Sequence, residues 1–148
     1  MWKTKLSGGP PIRVTRNGGV FAAESADGRF LYYSKFESLG IWKMPLDGGE
    51  EIRILDRPAG EDWWNWALAQ NGIYFVDLIR RTVSGEANPR PPIVKFFDFA
   101  TSEETSIFTL TTDKPSYVFG LAVSPDQSSI LYDQREYESS IMLIRNFR

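Results

Sequence analysis

The chain has 148 residues, 42% of them apolar and 24% charged, the composition of one soluble globular domain with room for a sizeable core. Seventeen basic side chains against nineteen acidic ones leave a net charge of −2, which favours neither a nucleic-acid groove nor a polybasic membrane surface. Cysteine and histidine are absent, so disulfides, thiolate nucleophiles, Cys- or His-ligated metals, Ser-His-Asp chemistry and imidazole pH switches are excluded.

In chain order, strands are predicted over residues 2–6 and 12–15, then 19–25, 30–35, 41–46 and 51–55. A second series follows over 63–69, 72–78, 93–99 and 104–110, and a third over 118–123, 129–133 and 141–147. Phe30-Leu31-Tyr32-Tyr33, Ile73-Tyr74-Phe75-Val76 and Ile130-Leu131-Tyr132 are β-branched or aromatic runs with turn residues on both sides. Asp27-Gly28 and Gly48-Gly49 supply the residues that accept positive φ in tight hairpins. No helical periodicity persists beyond two turns. The nearest candidate, 63–70, has apolar side chains on too many sides, and Gly72 follows at once. The chain reads as all-β. It has no signal-peptide core and no apolar run long enough to span a bilayer, so it reads as soluble. The compartment stays open: cytoplasmic, or extracytoplasmic as part of a longer exported protein.

The strands repeat. Trp2-Lys3, Leu6-Ser7-Gly8-Gly9 and Ile12-Arg13-Val14 recur 40 residues later as Trp42-Lys43, Leu46-Asp47-Gly48-Gly49 and Ile52-Arg53-Ile54. A weaker third copy runs from Val94 to Phe108. Ser25 to Tyr33 aligns without a gap with Ser124 to Tyr132, and Ala69 to Phe75 is a shortened version. A period near 40 with several short strands per unit predicts β-propeller blades of four antiparallel strands, A innermost to D outermost. The segments are 1–18 (strands C and D of a partial blade), 19–55 (a blade), 56–110 (a blade) and 111–148 (strands A, B and C of a last blade). That is roughly three blades, fewer than the about four to eight that close a ring. The expected completion is self-association, two copies forming a six-bladed homodimer, or further blades of a longer protein. In the dimer, strand 12–15 of one copy would pair beside strand 141–147 of the other.

These residues resemble the TolB-like, WD-repeat-like β-propellers of bacteria. The resemblance lies in Ser25-Ala26-Asp27-Gly28-Arg29 and Ser124-Pro125-Asp126-Gln127, each with one departure from the family's Ser-Pro-Asp-Gly, and in Ile41-Trp42 through Glu50. It covers nearly the whole chain. The C-terminal residues look like the ends of multidomain acidobacterial proteins, in which the propeller follows a winged-helix or kinase domain. It implies a fold and no catalytic residue, because propellers host unrelated activities.

Functional candidates are sought where the repeat breaks. An insertion of about eleven residues between the B and C strands of the second full blade carries Arg80, Arg81 and Arg90. In a propeller it emerges on the same ring face as Glu61, Asp62 and the run Trp63-Trp64-Asn65-Trp66. Arginines beside aromatics suit an anion, a sugar or a partner protein; the structural alternative is a solvated loop beside tryptophans that fill a blade interface. Glu50-Glu51 and Glu103-Glu104 occupy equivalent C–D turns and read as part of the repeat. Asp27, Asp126 and Asp133 lack the dense spacing of a calcium loop. Ser124 has no histidine to activate it, and Asp126 reads as a turn cap. The expectation is therefore a non-enzymatic binding or scaffold module for protein–protein or small-ligand recognition, without catalytic residues, metal, cofactor, nucleic acid or membrane. Its binding residues would be Trp63, Trp64, Trp66, Arg80, Arg81 and Arg90, with Glu61 and Asp62 as polar partners. The alternatives are a propeller-type lyase or glycosidase acting on an anionic sugar, and a sensor segment of a larger regulator.

Overall fold

The computed structural model describes residues 1–57, 62–77, 91–110 and 116–136. Among them there is no α-helix, and twelve strands form four antiparallel sheets in chain order. The first pairs β1 (Trp2–Lys3) with β2 (Ile12–Arg13). The second is the meander β3 (Phe21–Glu24), β4 (Phe30–Ser34), β5 (Ile41–Pro45) and β6 (Ile52–Leu55). The third is the meander β7 (Trp66–Leu68), β8 (Gly72–Asp77), β9 (Ile93–Asp98) and β10 (Glu104–Thr109). The fourth pairs β11 (Ser116–Val123) with β12 (Ile130–Glu136).

The repeat in the sequence is a repeat of hydrogen-bond register. Trp2↔Arg13 and Lys3↔Ile12 in β1–β2 reproduce Trp42↔Arg53 and Lys43↔Ile52 in β5–β6. Ala22↔Tyr33 and Ala23↔Tyr32 in β3–β4 reappear as Leu121↔Tyr132 and Ala122↔Leu131 in β11–β12. The hairpin turns match too. Ser25 N–H donates to the Phe30 carbonyl (2.9 Å), and the Asp27 carboxylate accepts from Ser25 Oγ (2.7 Å) and the Arg29 amide (3.1 Å). In the later copy Ser124 N–H donates to Ser129 (3.0 Å), and Asp126 accepts from Ser124 Oγ (2.6 Å) and the Ser128 amide (3.1 Å). The seryl hydroxyls, with the amides that follow, hold both aspartates down at about 2. Gln127 takes φ 57 where Gly28 has φ 67, a left-handed conformation costing a non-glycine residue about 1 kcal/mol.

Successive sheets pack face on face. Alternation along each strand sends Tyr32, Ile41 and Leu55 of the second sheet to one side, where they meet Trp66, Ile73, Phe75 and Phe97 of the third. Tyr32 stacks on Phe99 (centroids 5.2 Å apart, rings 16° off parallel), and Phe21 meets Trp66 edge-on at 5.2 Å. The opposite face of the third sheet, with Val76 and Val94, packs against Leu121 and Ile130 of the fourth. The other face of the second sheet carries Tyr33, Lys35 and Trp42, and there the Met1 side chain lies against Gly19 and Tyr33. The glycine at position 72 permits close approach rather than an unusual φ. A Cβ there would sit 2.2 Å from the Phe97 carbonyl oxygen and 2.4 Å from the Phe96 ring.

Several strand boundaries differ from expectation, β3 among them, which spans Phe21–Glu24 rather than 19–25. The first strand of the third sheet begins at Trp66 instead of 63, because Asp62 to Trp64 turn, the Asn65 amide donating to the Asp62 carbonyl (2.9 Å). Strands β1 and β2 are shorter than 2–6 and 12–15, since Gly8, Gly9 and two prolines occupy the connection between them. Strand β11 starts earlier than 118, at Ser116, and β12 runs on past 133 to Glu136. The predicted strand 141–147 lies outside the described residues.

Candidate binding face

Arg57, just after β6, is ion-paired with Asp77, the last residue of β8. The ends of β6 and β8 are thus bridged by one ion pair, and residues 58–61 and 78–90 beyond them lie outside the described residues. Arg80, Arg81, Arg90 and Glu61 lie outside the described residues.

The other four candidates form the turn that feeds β7. Trp66 is completely buried, its indole N–H donating to the Trp63 carbonyl (3.0 Å), and it fills the interface between the second and third sheets. It offers no surface to a ligand; the packing alternative is what the structure gives for this residue. Asp62 is 3% exposed, and its carboxylate accepts from Asn65 Nδ2 at 3.4 Å. Trp63 and Trp64 are half-buried and meet edge-on at 4.5 Å, with Phe36 beside Trp63 at 6.4 Å. Of the four, Trp64 borders a surface depression, its indole nitrogen buried. It lines this depression, of about 490 Å³, with Phe21, Ala122, Leu131, Tyr132 and Asp133.

Sequence reasoning passes over the residue that ties this turn together. Asn65 is fully buried; its Oδ1 accepts the Gly120 amide (2.8 Å) and its carbonyl accepts the Val76 amide (3.0 Å). One side chain thus joins the second of two meanders to the fourth sheet. From the second sheet Ser34 Oγ donates to the Trp63 carbonyl (2.6 Å). The available signal was a lone amide among tryptophans, Trp63-Trp64-Asn65-Trp66, where a buried polar group needs partners.

The acidic repeat positions hold ion pairs. Glu51 accepts from Lys35 Nζ (2.6 Å), Asn17 Nδ2 (3.1 Å) and the Tyr33 hydroxyl. The Lys35 ammonium also lies 3.7 Å from the centroid of the Trp42 ring. Burial pushes the Glu51 carboxyl up, but the bonds from Lys35, Tyr33 and Asn17 outweigh it and hold the group below its ordinary value. Burial, and next the carboxylate of Glu51, push the Tyr33 phenol well up. In the third sheet Lys95 donates to Asp77 (2.9 Å) and Glu104 (3.2 Å), and the Asp77 bond is the main reason its ammonium is raised. Glu51 and Glu104 occupy the same register position. The partner lysine moves from β4's end to β9.

Among the described residues no group of three or more acidic side chains is placed to hold a metal ion, and no helix is long and apolar enough to cross a membrane. No protein-family model, no curated protein and no solved structure matches this chain.

Proposed function

We propose that the chain is a run of β-propeller blades acting as a non-enzymatic binding module, with Trp64 and the depression beside it as the surface offered to a protein or small-ligand partner. The observation that carries this reading is the serial stacking of four-stranded meanders in a common register, the arrangement in which propeller blades present their connecting loops at one end. A second consideration supports binding over chemistry. Glu51, Asp77 and Glu104 are committed to ion pairs, and Asp27 and Asp126 to turns. Acid–base work on a sugar needs two carboxylates facing a substrate, and these face their own chain.

The test uses the indole N–H signals of the five tryptophans in a two-dimensional NMR screen of peptides and oligosaccharides. The Trp64 signal is expected to move on binding while that of buried Trp66 stays. Turnover of an anionic oligosaccharide, abolished by Asp62→Asn, would replace the binding module with an enzyme.

A further inference from the structure

The dipeptide Asn-Gly occurs twice in the chain, at Asn17-Gly18 and at Asn71-Gly72, and both asparagines are exposed. We propose that Asn17 is a site of spontaneous deamidation, at which the chain gains a carboxylate against Glu51, while the third sheet protects Asn71 from the same reaction.

The reaction needs no enzyme. The backbone nitrogen of the following residue attacks the asparagine side-chain carbon, Cγ, and a cyclic succinimide closes. The Cγ–Nδ2 bond breaks, and ammonia departs with the proton lost from the attacking nitrogen. Solvent water then opens the ring at either carbonyl, giving aspartate or isoaspartate, in which the chain runs on through Cβ and Cγ. Glycine favours this chemistry when it follows asparagine, since no Cβ hinders its nitrogen and its own dihedrals are free. Asn65 is buried and followed by Trp66, so neither condition holds there.

What separates the two exposed sites is the freedom of the attacking nitrogen. Ring closure turns the peptide plane after asparagine about the Cα–C bond, moving the asparagine carbonyl together with the glycine amide. At 71 that plane is held. The Asn71 carbonyl accepts the Phe99 amide (3.0 Å), the Gly72 carbonyl accepts the Ala69 amide (2.9 Å), and Gly72 lies opposite Asp98 in the β8–β9 ladder. Gly72 is also buried against Phe96 and the Phe97 carbonyl. At 17 the plane is not held. Among the described residues, neither the Asn17 carbonyl nor the Gly18 amide takes part in a hydrogen bond, and Gly18, at φ +88, has nothing within 4 Å of where a Cβ would sit. Reaction at Asn71 must wait for the β7–β8 turn to open, whereas Asn17 reacts from the native state.

The consequence follows from the hydrogen bond that the side chain makes. Asn17 Nδ2 donates to Glu51 Oε1 (3.1 Å), the same oxygen that accepts from Lys35 Nζ (2.6 Å). Deamidation replaces that donor with a charged acceptor. Two carboxylates then face each other where an amide had tied the β2–β3 connection to Glu51. Isoaspartate also lengthens the backbone of that connection by a methylene.

For the test, the whole chain is incubated folded in heavy-oxygen water at mildly alkaline pH, with a parallel sample in urea, and the peptides carrying Asn17 and Asn71 are followed by mass spectrometry. The expected result is labelled acid at 17, as both aspartate and isoaspartate. Conversion at Asn71 should be at least about tenfold slower in the folded chain and similar to that at Asn17 in urea. An amide kept at 17 through the time that converts it in urea would overturn the site. Equal conversion of Asn17 and Asn71 in the folded chain would overturn the protection. Asn17→Asp, which carries the product charge in every molecule, is expected to lower Tm at neutral pH and to lose that difference as acid protonates the facing pair. An unchanged or raised Tm would overturn the coupling to Glu51.

Discussion

Replacing Asn65 with alanine removes a side chain that joins the β7 turn to the fourth sheet. The Gly120 amide loses its acceptor at 2.8 Å, and Asp62 loses the weaker Nδ2 contact at 3.4 Å. Gly120 is only partly enclosed, so part of its amide's desolvation is relieved by water. An unsatisfied donor of this kind costs about 1–3 kcal/mol, and the small void left by a fully buried amide adds to it. We expect a total of about 2–3 kcal/mol. For a chain of this size that lowers Tm by about 5–10 °C and moves the urea midpoint down at unchanged m. Asn71→Ala, at an exposed asparagine, is the control and should cost under about 0.5 kcal/mol. An Asn65→Ala loss no larger than that control would refute Asn65 as the tie between the sheets. A fall in m would instead mean that the fourth sheet unfolds separately.

Glu51→Gln strands the Lys35 ammonium, whose side chain is 9% exposed, and should cost about 2–4 kcal/mol by urea unfolding. Since the Glu51 carboxyl lies below its ordinary value in the folded chain, its contribution is present above about pH 4.3 and fades as the pH falls through the folded value. Wild-type Tm should therefore drop on acidification below about pH 4.5, and Glu51→Gln should flatten the first part of that decline. Asp126, held at about 2, contributes in the same direction down to lower pH, so Asp126→Asn should flatten the last part between about pH 4 and 2. Gly40 adopts φ +96, and a Cβ there would sit 2.1 Å from the Leu55 carbonyl oxygen. Gly40→Ala is expected to cost about 3 kcal/mol or more, read in the same unfolding assay.

Most of the strand order was legible because period-two patterns and turn residues coincide. Phe30 to Tyr33 and Ile73 to Val76 are strands by composition, and Asp27-Gly28 closes a hairpin by chemistry. The misplacement at 63 has a definite cause. Three tryptophans in a run of four residues read as strand, but the buried Asn65 and the carbonyls of Asp62 and Trp63 are satisfied by a turn, and turn formation wins over propensity. The candidate site was less legible. Sequence gives residue type, and Trp63, Trp64 and Trp66 are the same type; only three-dimensional packing separates Trp66 in the core from Trp64 at an open depression. The ion pairs were half legible. Glu51 and Glu104 align in the repeat, but their lysines do not, because Lys35 and Lys95 reach the same place from different strands.

That last difference makes a test of how the sheets tolerate charge. Tyr33↔Trp42 in the second sheet corresponds to Phe75↔Lys95 in the third, and Lys35 corresponds to Asp77, two residues further along. So the second sheet reads Lys, Trp, Glu across its strands where the third reads Asp, Lys, Glu. Lys35→Asp alone would set a second buried carboxylate near Glu51 with no cation between them, a change costing about 3–5 kcal/mol. Trp42→Lys alone would crowd two ammonium groups onto Glu51 and forfeit the ring under Lys35. Together they rebuild the order seen at Asp77, Lys95 and Glu104, with the new lysine between two acids. The double variant should be less destabilised than the sum of the singles by about 2–3 kcal/mol in a urea double-mutant cycle. Additivity within about 0.5 kcal/mol would mean the two networks are not interchangeable, and that the third sheet depends on Arg57, which has no counterpart at Lys35.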